Sequence, residues 1–391
     1  MIPYGRHYLD EDDIRAVTDL LRSGDSLTQG PRVEAFEQTV AEYVGAKYAV
    51  AVSSATAGLH IAAIAAGVKP GSALVTSPIT FVASSNAALY AGGTALFADI
   101  DPSTVNMSPA SLREVLSAHP ETKAIVPVHF AGLPCDMPAI RAEADRVGAI
   151  IIEDAAHALG GHYPDGSKIG SNSHGHMTVF SFHPVKAVAA GEGGIITTND
   201  EGYYRQLLRL RSHGINKLDD QFELPEQAGP ADRPDPWYYE MQELGFHYRI
   251  TDIQCALALS QMSKLDTFIT KRRQLAEAYD AAFADFANLG PAQVEGRELS
   301  GHHLYVLRIN FDRIGLTRAE LMRELRERGI GSQVHYIPVP MQPVYRKLQN
   351  RPEDYPNALA FYRECLSIPL FYSLTDVQQQ DVVAALRELV G

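Results

Sequence analysis

Two residues of this sequence have types and positions suited to covalent chemistry. Asp154 closes the run Ala-Ile-Ile-Ile-Glu-Asp (149–154), a continuous apolar stretch of strand length that ends in acids and is followed by Ala-Ala-His. The carboxyl ends of strands in a parallel sheet are where such folds hold their ligands. Taken alone, Asp154 reads first as a strand-end acid or a helix cap. Lys186 comes 32 residues later in Ser-Phe-His-Pro-Val-Lys (181–186), among small and apolar neighbours and ahead of Gly-Glu-Gly-Gly (191–194). A lysine in such a turn is either solvated or desolvated, and only a desolvated amine has its pKa lowered enough to serve as a nucleophile.

Together the two residues form the pair that pyridoxal phosphate chemistry requires. The lysine forms a Schiff base with the aldehyde, and the carboxylate keeps the pyridinium nitrogen protonated so that the ring acts as an electron sink. A phosphate also needs donors. Ala55 and Thr56 open a helix predicted near 56–66, whose free N–H groups and dipole attract an anion, and Thr56 adds a hydroxyl. The alternative for Thr56 is a plain N-cap.

The sequence resembles the DegT/DnrJ/StrS family of sugar aminotransferases over essentially its whole length. The resemblance is carried by Glu-Asp-Ala-Ala-His (153–157), the Ser-Phe-His-Pro-Val-Lys and Gly-Glu-Gly-Gly blocks, Ser-Ala-Thr (54–56), Thr-Phe-Val-Ala (80–83) and Gly-Phe-His-Tyr-Arg-Ile-Thr-Asp (245–252). It implies the fold of aspartate aminotransferase, the type I fold of pyridoxal phosphate-dependent transferases. It further implies that Lys186 binds the cofactor and shuttles protons, that Asp154 partners the pyridinium nitrogen, and that Phe81 lies against the ring. His157 would stand near the phenolic oxygen, with Ser181 as a second hydroxyl donor to the phosphate. Many members carry Asn where this sequence has His247, and that residue reaches across a homodimer interface to the cofactor phosphate or the substrate. Imidazole can still donate a hydrogen bond, with a charge that varies with pH.

Four further segments, Leu-Thr-Gln-Gly (27–30), Ser-Pro-Ile-Thr-Phe-Val-Ala (77–83), His-Leu-Tyr (303–305) and Arg-Gly-Ile-x-x-Gln-Val-His-Tyr-x-Pro (328–338), resemble the members that aminate C4 of a UDP-linked 4-keto-6-deoxy-N-acetylhexosamine in pseudaminic acid biosynthesis, with L-glutamate as donor. By that resemblance Tyr4, Asp25, Ser26, Leu27, Thr28, Gln333, Val334, His335 and Tyr336 line the nucleotide-sugar cleft, together with Ala55, Ser181 and His247. The alternative for 333–336 is a strand of the smaller domain, and for Tyr4 an N-terminal arm packed on the surface. Arg249 is either a contact for the diphosphate or a member of a structural ion pair. Rival readings are an aminotransferase for another 4-keto sugar (a UDP-pentose, a GDP- or dTDP-hexose) and a non-catalytic regulatory protein that binds the cofactor. Relatives that dehydrate sugars resemble cases in which His replaces the Schiff-base lysine, so Lys186 favours transamination. His174-Gly-His176 and His302-His303 read as ordinary strand-edge histidines rather than metal ligands, and no G-x-S-x-G, P-loop or G-x-G-x-x-G is present at a suitable junction.

The elements that must position these residues follow from periodicity. Two amphipathic helices, 10–22 and 31–44, open the chain. Strands at 48–52, 72–76, 95–99, 123–128 and 149–153 then alternate with helices near 56–66, 82–91, 108–118 and 136–147, and 176–198 reads as strand, turn and returning strand. Such alternation predicts an α/β fold with a mostly parallel central sheet covered on both faces. A helix at 201–211 is followed by a Pro-, Gly- and Asp-rich stretch, 216–237, read as a long functional loop. Helical periodicity over 251–288 predicts a long interdomain helix, and strands near 302–311 and 331–336 with helices near 317–328, 354–365 and 375–389 complete a smaller α+β domain. The division is therefore 1–250, with the cofactor, and 251–391.

Composition narrows the partners. The 391 residues hold 34 Lys plus Arg against 47 Asp plus Glu, a net charge of −13, with 46% hydrophobic and 21% charged residues. This is a globular mix with no positive field for nucleic acid or an anionic membrane. Cys135, Cys255 and Cys365 are too scattered for a disulfide framework or thiolate zinc site. With no apolar signal region and no run of about 18 apolar residues, the chain is expected to be soluble and cytoplasmic.

Overall fold

The computed structural model describes residues 1–217, 222–230, 233 and 235–390. The first helix, α1 (Glu11–Ser23), starts at a capping box between Asp10 and Asp13 and ends on left-handed Gly24. The second, α2 (Pro31–Val44), has Gly30 as its N-cap, which offers no side chain. Asp252, 222 residues beyond Gly30, fills that role, accepting from the N–H of Gly30 at 2.8 Å and of Arg32 at 2.9 Å.

From Tyr48 the chain alternates as β1 (Tyr48–Val52), α3 (Ala55–Ala65), β2 (Ala73–Thr76), α4 (Ala83–Tyr90), β3 (Thr94–Phe97), α5 (Pro109–Ala118), β4 (Thr122–Val126), α6 (Met137–Val147), β5 (Ile150–Asp154), β6 (Met177–Ser181), β7 (Gly194–Thr198) and α7 (Glu201–Arg211). The strands form one seven-stranded sheet in the order β1-β7-β6-β5-β4-β2-β3. The neighbours from β3 to β6 run parallel, and only β7 is antiparallel to both of its partners. The expected mostly parallel α/β sheet is the one observed.

Past α7, a short ribbon of β8 (Ile215–Asn216) and β9 (Glu240–Met241) brackets most of the stretch read as a long loop. Residues 218–221, 231, 232 and 234 of that stretch lie outside the described residues. The single long helix expected over 251–288 is instead two, α8 (Asp252–Met262) and α9 (Leu265–Phe283), parted at Ser263 and Lys264. The periodicity carries through the break because Leu265 and Ile269 at the start of α9 enter the same core as α8, and only the later turns of α9 reach another. Cys255, Ala258 and Met262 pack with α2, α5 and α6 on one face of the large sheet, whereas Leu275, Tyr279 and Phe283 enter a second core. Lys264, at the break, ion-pairs with Asp10 and with Asp13. The other face of the large sheet is covered by α3, α4 and α7, so both faces are buried, as the near-continuous apolar strands require.

The second core lies between α9 and an antiparallel sheet of β10 (Leu289–Pro291), β11 (Tyr305–Ile309) and β12 (Cys365–Ile368). Helices α10 (Phe311–Ile314), α11 (Arg318–Glu327), α12 (Pro343–Lys347), α13 (Pro356–Glu364) and α14 (Asp376–Val390) complete the chain. The strand expected at 302–311 is β11. The one expected at 331–336 is not a strand: a single bridge joins Gln333 to Ser367, after which the His335 ring meets the Ser367 hydroxyl and the Tyr336 side chain turns to His157. The helix expected over 354–365 stops at Glu364, and Cys365 begins a fully buried strand instead.

Candidate active site

The residues singled out in the sequence converge at the carboxyl ends of β5 and β6. Asp154 is the last residue of β5 and is 6% exposed. Strand alternation sends the preceding Glu153 to the opposite face, where His129 donates to it at 2.8 Å and the Tyr163 hydroxyl also bonds it. Asp154 faces α4, where the Ser84 hydroxyl donates to its Oδ2 at 2.6 Å and the Ala156 N–H donates to Oδ1 at 3.1 Å.

Lys186 occupies the turn between β6 and β7, which is closed by bonds from the Lys186 N–H to the His183 carbonyl (2.8 Å) and from the Ala190 N–H to the Phe182 carbonyl (2.9 Å). Its Nζ lies 3.3 Å from His303 Nε2. Desolvation pushes the amine from 10.5 down to about 8; the Asp154 charge opposes the shift and the Arg272 charge reinforces it. Such an amine is partly unprotonated near neutrality. One consequence is measurable: added to the cofactor-free chain, pyridoxal phosphate should be captured at a rate that rises with pH and levels off above about 8. An ordinary exposed lysine would keep gaining to about 10. Stopped-flow absorbance across this range checks it.

His157 follows β5 and is buried. Its Nδ1 accepts from the Ala131 N–H at 3.3 Å, so the proton of the neutral ring sits on Nε2, 3.0 Å from the Tyr336 hydroxyl. Burial and, after it, the positive Lys186 hold His157 well below the usual imidazole range. The Tyr336 ring lies 6.0 Å from His157 and 6.4 Å from Phe81. His335 is buried between Ser367, whose Oγ is 2.8 Å from its Nδ1, and the Tyr4 ring at 5.4 Å. Phe81 is 59% exposed, a planar apolar face left open beside the lysine–aspartate pair.

The anion end differs from the sequence expectation in one detail. The N-cap of α3 is Ser54, not Thr56: its Oγ accepts from the Ala57 N–H at 3.1 Å. The Ala55 and Thr56 N–H groups are thereby left without acceptors among the described residues, and the Thr56 hydroxyl has no capping duty. Ser181 ends β6 and pairs with Gly194 of β7. At Gly194 a Cβ would stand 2.5 Å from Ala55 N and from Ser54 C, so only glycine lets β7 lie on this helix start. Gly194→Ala should therefore cost roughly 1–3 kcal/mol through overpacking, read as a lowered thermal midpoint together with weaker cofactor retention.

Other residues picked from the sequence lie apart from this cluster. His247 is exposed, bridged to Ser212 and stacked on His213 at 5.3 Å. In the 25–28 segment, Asp25 and Ser26 are exposed, the Leu27 carbonyl accepts from the Asp252 N–H and Thr28 bridges to Thr251. The Gln333 side chain accepts from the Val334 N–H and is exposed, while Val334 packs in an apolar cluster with Tyr4 and Tyr336. Arg249 faces a cleft shared with Arg211 and Glu37, and its Nε is buried with no partner among the described residues. Among the described residues no group of three or more His, Cys, Asp or Glu is arranged to hold a metal. His174 pairs with Asp165, and His176 accepts from the Ile151 N–H.

Three members of the cluster were not foreseen: Ser84, Arg272 and His303. Arg272 is fully buried on α9 and donates to the carbonyls of His302, His303 and Leu370 at 3.4, 3.2 and 3.0 Å. A signal for His303 exists in the His-Leu-Tyr block, which marks the segment without showing that the ring reaches Lys186.

The cluster suits pyridoxal phosphate: an amine of lowered pKa, a buried carboxylate, an open aromatic face and two free N–H groups at a helix start. Comparison with known proteins agrees. The profile of the DegT/DnrJ/EryC1/StrS aminotransferase family matches residues 7–387. The spore coat polysaccharide biosynthesis protein SpsC of Bacillus subtilis is 40% identical over 391 residues, all of this chain and 97% of that protein. Among solved structures, Helicobacter pylori PseC, an aminotransferase involved in the biosynthesis of pseudaminic acid, is similar with a TM-score of 0.89 at 29% identity, over all of this chain and 99% of that one. Streptococcus pneumoniae Spr1654, described as a sugar aminotransferase and solved in PMP and PLP forms, gives a TM-score of 0.88 at 27% identity over all of this chain and 99% and 98% of those chains. With a match across nearly all of its length and the parts the cofactor needs gathered at its strand ends, this chain belongs to the DegT/DnrJ/EryC1/StrS family and is a pyridoxal phosphate-dependent sugar aminotransferase.

Proposed function

We propose that the chain moves the amino group of L-glutamate to C4 of a UDP-linked 4-keto-6-deoxy-N-acetylhexosamine. The products are UDP-4-amino-4,6-dideoxy-N-acetyl-β-L-altrosamine and 2-oxoglutarate, a step of pseudaminic acid biosynthesis in the cytoplasm. The observation that carries the reading is the lysine–aspartate site flanked by Phe81, His157 and Tyr336, with His335 and Tyr4 beyond them. The likeness to PseC supports the choice of sugar.

When bound, pyridoxal phosphate supplies a ring that stabilises negative charge on the carbon losing its proton. The chain's own residues do the rest. Lys186 Nζ anchors the cofactor, takes the proton from Cα of glutamate and, in the second half of a ping-pong cycle, delivers one to the sugar as its C4 gains the amine. Asp154 would keep the ring nitrogen protonated, and Ala55, Thr56 and Ser181 would hold the phosphate. Phe81 would offer its exposed face to the ring, and His157 would serve the phenolic oxygen. Tyr4, Gln333, Val334, His335 and Tyr336 read the nucleotide sugar, largely by hydrogen bonds. His247, the 25–28 segment and the 216–237 stretch serve the site of a second copy in a homodimer, which explains why His247 and Asp25–Thr28 stand apart from Lys186 within one chain. An active monomer in sedimentation would contradict that arrangement. Residues 1–250 form the cofactor-binding domain and 251–391 the smaller one.

A panel of UDP-, GDP- and dTDP-linked 4-keto sugars tests the substrate. The UDP-N-acetylhexosamine should give the highest kcat/KM; preference for a GDP- or dTDP-hexose would move the chain to another branch of the same chemistry.

A further inference from the structure

Behind Lys186 stands a histidine whose surroundings are built with unusual care. The His303 N–H donates to the Ala131 carbonyl at 2.9 Å, and its carbonyl accepts from Arg272 at 3.2 Å. Two neighbours tie the same segment down, the Gly301 N–H on the Gly132 carbonyl and the Leu304 N–H on the Ala131 carbonyl. Its ring packs 4.5 Å from that of His157. His303 Nε2 lies 3.3 Å from Lys186 Nζ, and its Nδ1 is buried with no partner among the described residues. A buried imidazole with one unpaired nitrogen is costly, so a position that keeps it so firmly held is spending its other nitrogen on something specific.

We propose that His303 is a positioning residue for Lys186: its neutral Nε2 accepts an N–H from the lysine amine and fixes the direction in which that amine is presented. The role deepens the reading of Lys186 as the catalytic amine and rests on it. The direction of the bond follows from the charges. Burial and the positive Lys186 hold His303 well below the usual imidazole range, so the shared proton belongs to the lysine. The ring's own hydrogen is therefore on Nδ1. The charged and titratable groups facing this pair are Asp154 from β5, His157 from the turn after it, Arg272 from α9 and His335 from the segment between α11 and α12. Of these Asp154 raises the lysine's proton affinity and Arg272 lowers it. An acceptor on Nζ favours the ammonium form, because hydrogen bonds to charged groups are stronger than those to neutral ones.

The test measures the lysine directly in the cofactor-free full-length chain, by the pH dependence of its acetylation with trace acetic anhydride, read by peptide mass spectrometry. Three proteins are compared: wild type, His303→Phe, which keeps a ring but no acceptor, and His303→Gln, whose amide oxygen falls near the place of Nε2. The Phe variant should lower the Lys186 midpoint by about one pH unit, and the Gln variant should restore most of it. A midpoint that is the same in all three proteins overturns the proposal, and so does a fall in the Phe variant that Gln does not restore, because burial alone also moves the lysine's titration. Should His303→Phe not fold, His303→Asn, too short to reach Nζ, takes its place with the same two outcomes. Failure of the underlying reading shows differently: Lys186→Ala would then retain turnover, whatever the midpoints.

Discussion

Lys186→Ala is expected to lose at least about 10,000-fold in turnover, since one substitution removes both the amine nucleophile and the proton carrier. The neighbouring imidazoles of His157 and His303 cannot stand in: neither forms the covalent link, and His157 is occupied at both nitrogens by Ala131 and Tyr336. The visible absorbance of lysine-bound pyridoxal should vanish in the same variant. The fold should not suffer. The folded pKa of about 8 lies below the ordinary lysine value of 10.5, so at pH 7 the folded chain holds an ammonium that it disfavours, and that penalty fades as pH rises from 8 towards 10.5. Removing the amine relieves the penalty, and the thermal midpoint at pH 7 should not fall below that of wild type by more than the lost methylene packing. A folded Lys186→Ala that still turns over contradicts the assignment.

Asp154→Asn should reduce kcat by about 100- to 1,000-fold, the scale of removing one preorganised charge or donor from an active site. The substitution is informative because it isolates charge from shape. Asn keeps an oxygen for the Ser84 hydroxyl, which bonds Asp154 at 2.6 Å; what it loses is the negative charge assigned to the ring nitrogen and the weaker bond from the Ala156 N–H, 3.1 Å from Oδ1. The same charge raises the proton affinity of Lys186, so the variant should also shift the lysine's titration downward from about 8. Turnover and titration are independent readings of one charge. A variant with full kcat, or with slow turnover but an unmoved lysine, would place Asp154 elsewhere in the mechanism.

The parts of this molecule legible in its sequence are those fixed by local pattern. The run of Ile residues before Glu153 and Asp154 is apolar because the strand is buried on both faces, and its two acids are buried as well, each held by hydrogen bonds on its own face of the sheet. The first five strands fell within a few residues of their expected bounds for the same reason. What escaped depends on contacts between distant residues. Asp252 caps α2 from 222 positions away, so the start of that helix showed only Pro31 and a bare glycine. The break at Ser263 and Lys264 is invisible to periodicity, because Met262 before it and Leu265 and Ile269 after it face the same core. At 333–336 the alternation of polar and apolar residues suggested a strand, yet Tyr336 bonds His157 from 179 positions away and the pairing ends after one bridge. Ser84 has no local signature, and the His-Leu-Tyr block that contains His303 says nothing of what its ring meets. Each acquires meaning only through its distance to Asp154 or Lys186, the second across 117 positions.

The most direct test of the whole account follows one nitrogen atom. The chain loaded with pyridoxal phosphate is given L-glutamate with an isotopically labelled amino group and the UDP-linked 4-keto-6-deoxy-N-acetylhexosamine, and the sugar product is examined by mass spectrometry and NMR. The account predicts that the label appears as an amine on C4 of the sugar, in step with the 2-oxoglutarate released. A sugar recovered without the label, or with a ring hydroxyl lost as water in place of amination at C4, would contradict it.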